Sequence, residues 1–139
     1  MKALVQRVSR AEVRVDGAVT GAIGAGLLVL LGVGHEDDEA AADRMAAKLR
    51  ALRIFEDDAG RMNEPLGERE VLCVSQFTLM ADTRRGNRPS FVAAAPPDQA
   101  RRLYERVCDA LGAQRGVFGA HMEVELVNDG PVTILLEVI

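Results

Sequence analysis

Polar and apolar residues alternate with a period of two early in the chain, where Val13 and Val15 are interleaved with Glu12, Arg14 and Asp16. That period sends successive side chains to opposite faces of a strand. Asp16-Gly17 then predicts a hairpin turn, because glycine reaches positive φ without a Cβ clash. Val19 and Ile23 continue the return strand, and Leu27 to Val33 is a continuous apolar run, the pattern of a strand buried on both faces. After Asp37-Asp38 the period lengthens. Ala41, Met45, Leu49, Leu52 and Phe55 recur at three- and four-residue steps. They predict an amphipathic helix capped by the aspartates and running to about Phe55, with Arg44, Lys48 and Arg50 facing water.

Gly60 to Gly67, with Pro65 and two glycines, reads as a loop. Val71 to Phe77 (VLCVSQF) is the next buried strand, ending in the polar step Ser75-Gln76. Ala81 to Pro97 contains Gly86 and three prolines and predicts an ordered, irregular loop. A second helix is expected from about Asp98 to Leu111, with Ala100, Leu103, Tyr104, Val107 and Leu111 on one face and Gly112 as its stop. Met122, Val124 and Leu126 alternate with Glu123 and Glu125. The chain is then expected to turn at Asn128-Asp129-Gly130-Pro131 and finish as a strand over Val132 to Val138. The order of strands, helix, strand, helix and strands defines a mixed α/β domain in which two helices cover a sheet as one layer. With no repeat, linker or low-complexity tract in 139 residues, residues 1–139 read as a single domain.

Composition adds three constraints. Apolar residues make up 48% of the chain and charged residues 27%, which excludes a disordered protein. Aromatic residues are scarce, so the core is expected to be aliphatic, with Phe55, Phe77, Phe91, Phe118 and Tyr104 as its few large pieces. Cys73 and Cys108, far apart and outside any CxxC pattern, read as buried free thiols of a reducing compartment. No apolar run is long enough to span a membrane and no leader pattern opens the chain, so a cytoplasmic protein is expected. The net charge of −4 does not itself suggest nucleic-acid binding. However, all cations except Lys2 and Lys48 are arginine, and Arg84, Arg85 and Arg88 crowd one short window.

Three segments can carry chemistry. Ser75-Gln76-Phe77-Thr78 ends a buried strand, where a Gln amide and unpaired backbone N–H groups can hold a carbonyl and the oxyanion that develops on it. Thr78 is a nucleophile only if a base takes its proton. The arginine window offers planar forks to phosphate, and the neighbouring Phe91 is either a stacking surface for a base or a core anchor. Asn128-Asp129-Gly130-Pro131-Val132-Thr133 is either a plain turn or, with a cis bond before Pro131, a pair of carbonyls turned the same way. His35 and His121 sit in no ligand pattern and no GxSxG elbow is present, so neither a metal site nor a serine triad is expected.

Together the segments LVQRVSRAEVRVDG (Leu4 to Gly17), SQFTLMAD (Ser75 to Asp82), GNRPSF (Gly86 to Phe91) and NDGPVT (Asn128 to Thr133) resemble the D-aminoacyl-tRNA deacylase family. The resemblance implies a mixed α+β, three-layer sheet/sheet/helix single domain with barrel-like sheets and two main helices. It also implies a homodimer with active sites at the subunit interface, using no cofactor and no metal. The implied activity is hydrolysis of the ester joining a D-amino acid, or glycine, to tRNA, with L-aminoacyl-tRNA rejected. Ser75, Gln76, Phe77 and Thr78 would form the catalytic pocket. Gly130 and Pro131, joined by a cis bond, would enter the partner's pocket and hold the α-amino group. Arg7, Phe91 and Asn128 would support the site, and Arg84, Arg85 and Arg88 would contact tRNA. Ser75 favours the D-specific branch, because the branch that edits L-alanine differs there. Two other classes are carried alongside: a non-catalytic nucleic-acid-binding module built on the arginine loop, and a serine or threonine hydrolase of small esters or amides.

Overall fold

The computed structural model describes residues 1–139. β1 (Lys2–Val15) runs antiparallel to β2 (Ala18–Ile23) through Asp16 and Gly17, both at positive φ as the hairpin requires. β1 is long enough to serve several partners. Its first half pairs with β3 (Gly26–Gly32) and its second half with β2, while the opposite edge pairs with β8 (Glu123–Glu137) almost throughout. Beyond β3 the sheet continues in parallel to β6 (Glu70–Ser75) and the short β7 (Gln114–Arg115). Thr20 Oγ1 donates to the Arg115 carbonyl at 3.4 Å, so β2 approaches β7 and the sheet nearly closes into a barrel.

The parallel pairs need crossovers, and the two helices supply them. α1 (Glu39–Ala51) lies between β3 and β6, and α2 (Pro97–Leu111) between β6 and β7. The apolar run in β3 divides by parity. Leu27, Val29 and Leu31 join the core beneath the helices with Met45, Leu49, Leu103 and Val107. Leu28, partnered by Val8, Val13, Leu72 and Val74, fills a second, smaller core inside the curled sheet. Two cores on opposite faces of one sheet require three stacked layers, as expected for this mixed α+β fold. Cys73 and Cys108, distant in sequence, meet in the larger core as free thiols. Contact with Cys108, together with burial, holds the Cys73 thiol well above its usual range, which makes it inert rather than nucleophilic.

Several boundaries differ from the periodicity reading. α1 stops at Ala51, and Phe55 reaches the same core from a two-residue strand, β4 (Phe55–Glu56). The expected loop at 60–67 contains β5 (Met62–Glu64), which pairs with β4 around a turn closed by Asp57, whose Oδ1 accepts from the Ala59 and Arg61 amides. Only Asp38 caps α1, accepting from the Ala41 amide at 2.9 Å; Asp37 instead accepts from the Gly34 amide and the Met1 ammonium. Phe77 and Phe91 are not core pieces, being 54% and 39% exposed. The expected turn at 128–131 does not reverse the chain. Both halves of β8 pair with β1, and between the pairs Gln6↔Thr133 and Val8↔Asn128 residues 129–132 bulge outward opposite the single residue Arg7.

No helix of the chain is long and apolar enough to cross a membrane. Removing the helix cap with Asp38→Ala should cost about 1 kcal/mol in urea unfolding, leaving the α1 amides near Ala41 to exchange faster with solvent.

Candidate active site

β6 ends at Ser75, and the chain immediately enters a 3-10 turn over Phe77–Met80. The first amides of such a turn have no partner within it. The Gln76 N–H still donates to Leu31 on β3 at 2.8 Å, but those of Phe77 and Thr78 find no acceptor in the chain. Two adjacent unpaired donors at the end of a rigid strand can take a developing oxyanion. The turn packs closely against β3, which ends in glycine. A Cβ at Gly32 would stand 3.0 Å from the Leu79 side chain and 3.1 Å from the Gln76 carbonyl.

Ser75, Gln76 and Phe77 line a cleft of about 850 Å³. Its other walls are Phe91 and Ala94 from the irregular loop, the start of α2 from Pro96 to Arg101, and Phe118 to Met122. The Phe77 and Phe91 rings meet edge to face with centroids 5.1 Å apart, so they form a preorganised, half-open aromatic wall. His35 Nε2 bonds the Val92 carbonyl at 2.8 Å and fixes the loop that carries Phe91. Thr78 lies beside the cleft and is not part of its lining. Its hydroxyl accepts from Gln76 Nε2, which leaves its proton free to donate, and no carboxylate or imidazole hydrogen-bonds to it. This environment suits a positioning hydroxyl and does not activate a nucleophile.

The 129–132 bulge lies outside this cleft within one chain. It is held from below by Arg7, the one charged residue buried as a whole, at 6% exposure. Strand alternation places Arg7 on the same face as Ala3 and Val5. Its Nε donates to the Asp129 carbonyl at 2.9 Å and its Nη1 to the Ile54 carbonyl at 2.8 Å, with the Asp129 and Glu56 carboxylates at 3.7 and 3.9 Å. From above, Asn128 Oδ1 accepts from the Val132 amide and Asn128 Nδ2 donates to Thr133 Oγ1, both at 2.9 Å. Gly130 has φ +140°, and a Cβ there would stand 2.8 Å from Val132 and 3.2 Å from Arg7, so glycine is required. The Gly130-Pro131 peptide is cis, and both residues are exposed.

Arg84, Arg85 and Arg88 surround a second concavity with Asp82 and Ser90, the residue next in the chain to Phe91 of the cleft. They are not equivalent. Arg84 grips the Asp82 carboxylate with Nε and Nη2 at 2.9 and 2.6 Å, and together with its own amide holds that carboxyl down at about 2. The side chains of Arg85 and Arg88 have no partner in the chain and remain available to an anion.

Periodicity missed Arg101, Phe118, His121 and Met122 as lining residues. They come from two segments more than fifteen positions apart, and only the packing of α2 on the sheet brings them to one wall.

The sequence profile of the D-Tyr-tRNA(Tyr) deacylase family matches residues 4–137. D-aminoacyl-tRNA deacylases from Anaeromyxobacter dehalogenans and Deinococcus radiodurans are 62% and 58% identical to the chain, covering 99% of it and 97% and 100% of their own lengths. A solved structure named c-Myc DNA Unwinding Element Binding Protein superposes with a TM-score of 0.94 at 43% identity, over 100% of this chain and 99% of that one. A second, described as a probable eukaryotic D-amino acid tRNA deacylase, gives 0.80 at 17% identity over 97% of each chain and supports the fold alone.

Two measurements check this geometry. Arg7→Lys removes the fork that spans two carbonyls, so it should cost about 1.5–3 kcal/mol in urea unfolding and speed exchange at the Val132 amide. NMR titration should place Asp82 near 2, and Arg84→Ala should return it toward the ordinary carboxylate value of about 4. Because the folded value is the depressed one, the contribution of Asp82 to loop order is complete above about 4 and is lost as pH falls through about 2.

Proposed function

The chain belongs to the D-Tyr-tRNA(Tyr) deacylase family, and from that premise we infer that it is a D-aminoacyl-tRNA deacylase, a hydrolase of the ester between a D-amino acid and tRNA. The observation that carries the reading at atomic level is the pair of free amides at Phe77 and Thr78, on the edge of a cleft walled by two aromatic rings. Residues 1–139 act as one deacylase domain, working in the cytoplasm.

An aminoacyl ester is already activated, so a modest catalyst suffices. Water adds to the ester carbonyl carbon, and the carbonyl oxygen takes the negative charge and is met by the two amides. A single donor of this kind is worth about a hundredfold or more in rate. As the tetrahedral species collapses, the bond to the ribose oxygen breaks and that oxygen takes up the proton released by water. With no base beside Thr78, the neighbouring 2′-hydroxyl of the terminal adenosine helps activate the water. Ser75, Gln76, Phe77 and Thr78 orient the ester, and Phe91 offers its ring to the nucleoside. Arg85 and Arg88, and Arg84 more weakly because Asp82 neutralises it, contact the tRNA backbone.

Stereoselection needs a second copy of the chain. Gly130 and Pro131 are exposed on a rigid bulge and lie outside their own cleft, as expected for a device that serves the partner's site. In the homodimer their carbonyls hold the substrate's α-ammonium and leave no room for an L side chain. Arg7 and Asn128 fix the bulge for that task. Glycine has no side chain to exclude, so glycyl-tRNA is also a substrate. A non-catalytic nucleic-acid module is the second reading, favoured by the name of the 43%-identical relative and by the unpaired arginines.

Incubating the protein with D-tyrosyl-tRNA and L-tyrosyl-tRNA should release tyrosine from the first alone. Equal rates would defeat the selective pocket, and salt-sensitive RNA binding without turnover would establish the second reading. Thr78→Ala should slow turnover by no more than about tenfold, the loss of one hydrogen bond. Complete loss with tRNA binding intact would instead make Thr78 the nucleophile. Sedimentation should show a dimer, and a protomer that never pairs would remove the proposed role of Gly130-Pro131.

A further inference from the structure

The chain has fifteen arginines. Eleven of them spend their side chains on carboxylates, carbonyls or an amide oxygen of the chain, as Arg102 does on Glu39 and Arg106 on Asp43. The side chains of four make no hydrogen bond or ion pair: Arg61, Arg85, Arg88 and Arg101. Three of these four border the two concavities. Arg101 is the one that lines the catalytic cleft itself, on the first turns of α2 across from Phe77 and Phe91.

Its surroundings are arranged for an anion. Arg101 is the only permanently charged side chain in the lining, and no carboxylate lines the cleft to compete for it. The guanidinium lies over the Phe118 ring with its carbon 4.8 Å from the centroid. That cation–π contact holds the side chain against the ring while its N–H groups remain unpaired, so less freedom is lost when an oxyanion is gripped. An unpaired cation set against an aromatic ring at the border of a largely apolar cleft, with no carboxylate to compete for it, is a receptor for an oxyanion.

We propose that Arg101 binds the phosphodiester on the 5′ side of the substrate's terminal nucleoside, and so sets how deeply the 3′ end of tRNA enters the cleft. The assignment rests on the deacylase reading. It separates the anchoring of the final nucleotide by Arg101 from backbone attraction farther out by Arg85 and Arg88. Arg101 is a binding and positioning residue and takes no part in proton transfer.

The test compares two esters that share the reacting groups, D-tyrosyl-tRNA and 3′-O-(D-tyrosyl)adenosine, which has base and ribose but no phosphate. Arg101→Gln should raise KM for the tRNA ester about ten- to hundredfold, with kcat little changed. The slope of log affinity against log salt should fall by about 0.7, one single-stranded phosphate. The nucleoside ester should be hydrolysed equally well by both proteins, and Arg101→Lys should recover part of the loss. As an independent readout, adenosine 5′-monophosphate should inhibit the wild-type protein better than adenosine does, and Arg101→Gln should erase that difference. Equal damage to both esters would assign Arg101 to packing against Phe118 and overturn the proposal, as would undiminished action on tRNA. A wild-type protein that hydrolyses neither ester would overturn the deacylase reading, and the anchor with it.

Discussion

A single buried guanidinium joins the two ends of this fold. Arg7 projects from the central strand into the core beneath the helices and ties the Ile54 carbonyl, just after α1, to the Asp129 carbonyl in the bulge of β8. A cation in that position is tolerated because its donors meet main-chain oxygens and two carboxylates stand near. The bulge exists because β8 carries residues 129–132 where β1 offers only Arg7. The long pairing of β1 and β8 therefore acts as a rigid rail, and the Gly130-Pro131 segment as a feature mounted on it, braced from below by Arg7 and from above by Asn128.

Much of the architecture was legible in the sequence because it follows from local periods. The Asp16-Gly17 hairpin, the doubly buried Leu27–Val33 strand, the faces of both helices and the Gly112 stop each depend on residues within one or two turns of each other. The discrepancies have a common cause. Phe55 is buried from a strand rather than a helix, so burial alone did not reveal the backbone that delivers it. Asn128-Asp129-Gly130-Pro131 has the composition of a reversing turn, yet β1 pairs with the chain on both sides of it. No short window contains that long-range partner.

The candidate site was legible in a different way. Ser75 to Thr78 could be located because a buried apolar run ends there in polar residues, but how their side chains and amides are disposed could not. Thr78 lies beside the cleft and its hydroxyl accepts a hydrogen bond, while the unpaired donors expected at the strand end are the amides of Phe77 and Thr78. The arginine window was visible, while the division of labour within it was not, since Asp82 occupies Arg84 and leaves the other two free. The same selective pairing explains how an acidic protein can present cations to a polyanion. Most of its arginines are paired with carboxylates or main-chain oxygens within the fold, and three of the four left over border the concavities.

The absence of a side chain at Gly32 has a consequence for how such a protein can change over generations. Backbone N–H donors such as those of Phe77 and Thr78 survive every exchange of the residues that carry them except one to proline. The more vulnerable letter is a hydrogen on the adjacent strand, where one methyl would press on the Leu79 side chain and the Gln76 carbonyl of the turn. The chemistry of this fold is thus inherited less through its reactive-looking residues than through an empty space that has to stay empty.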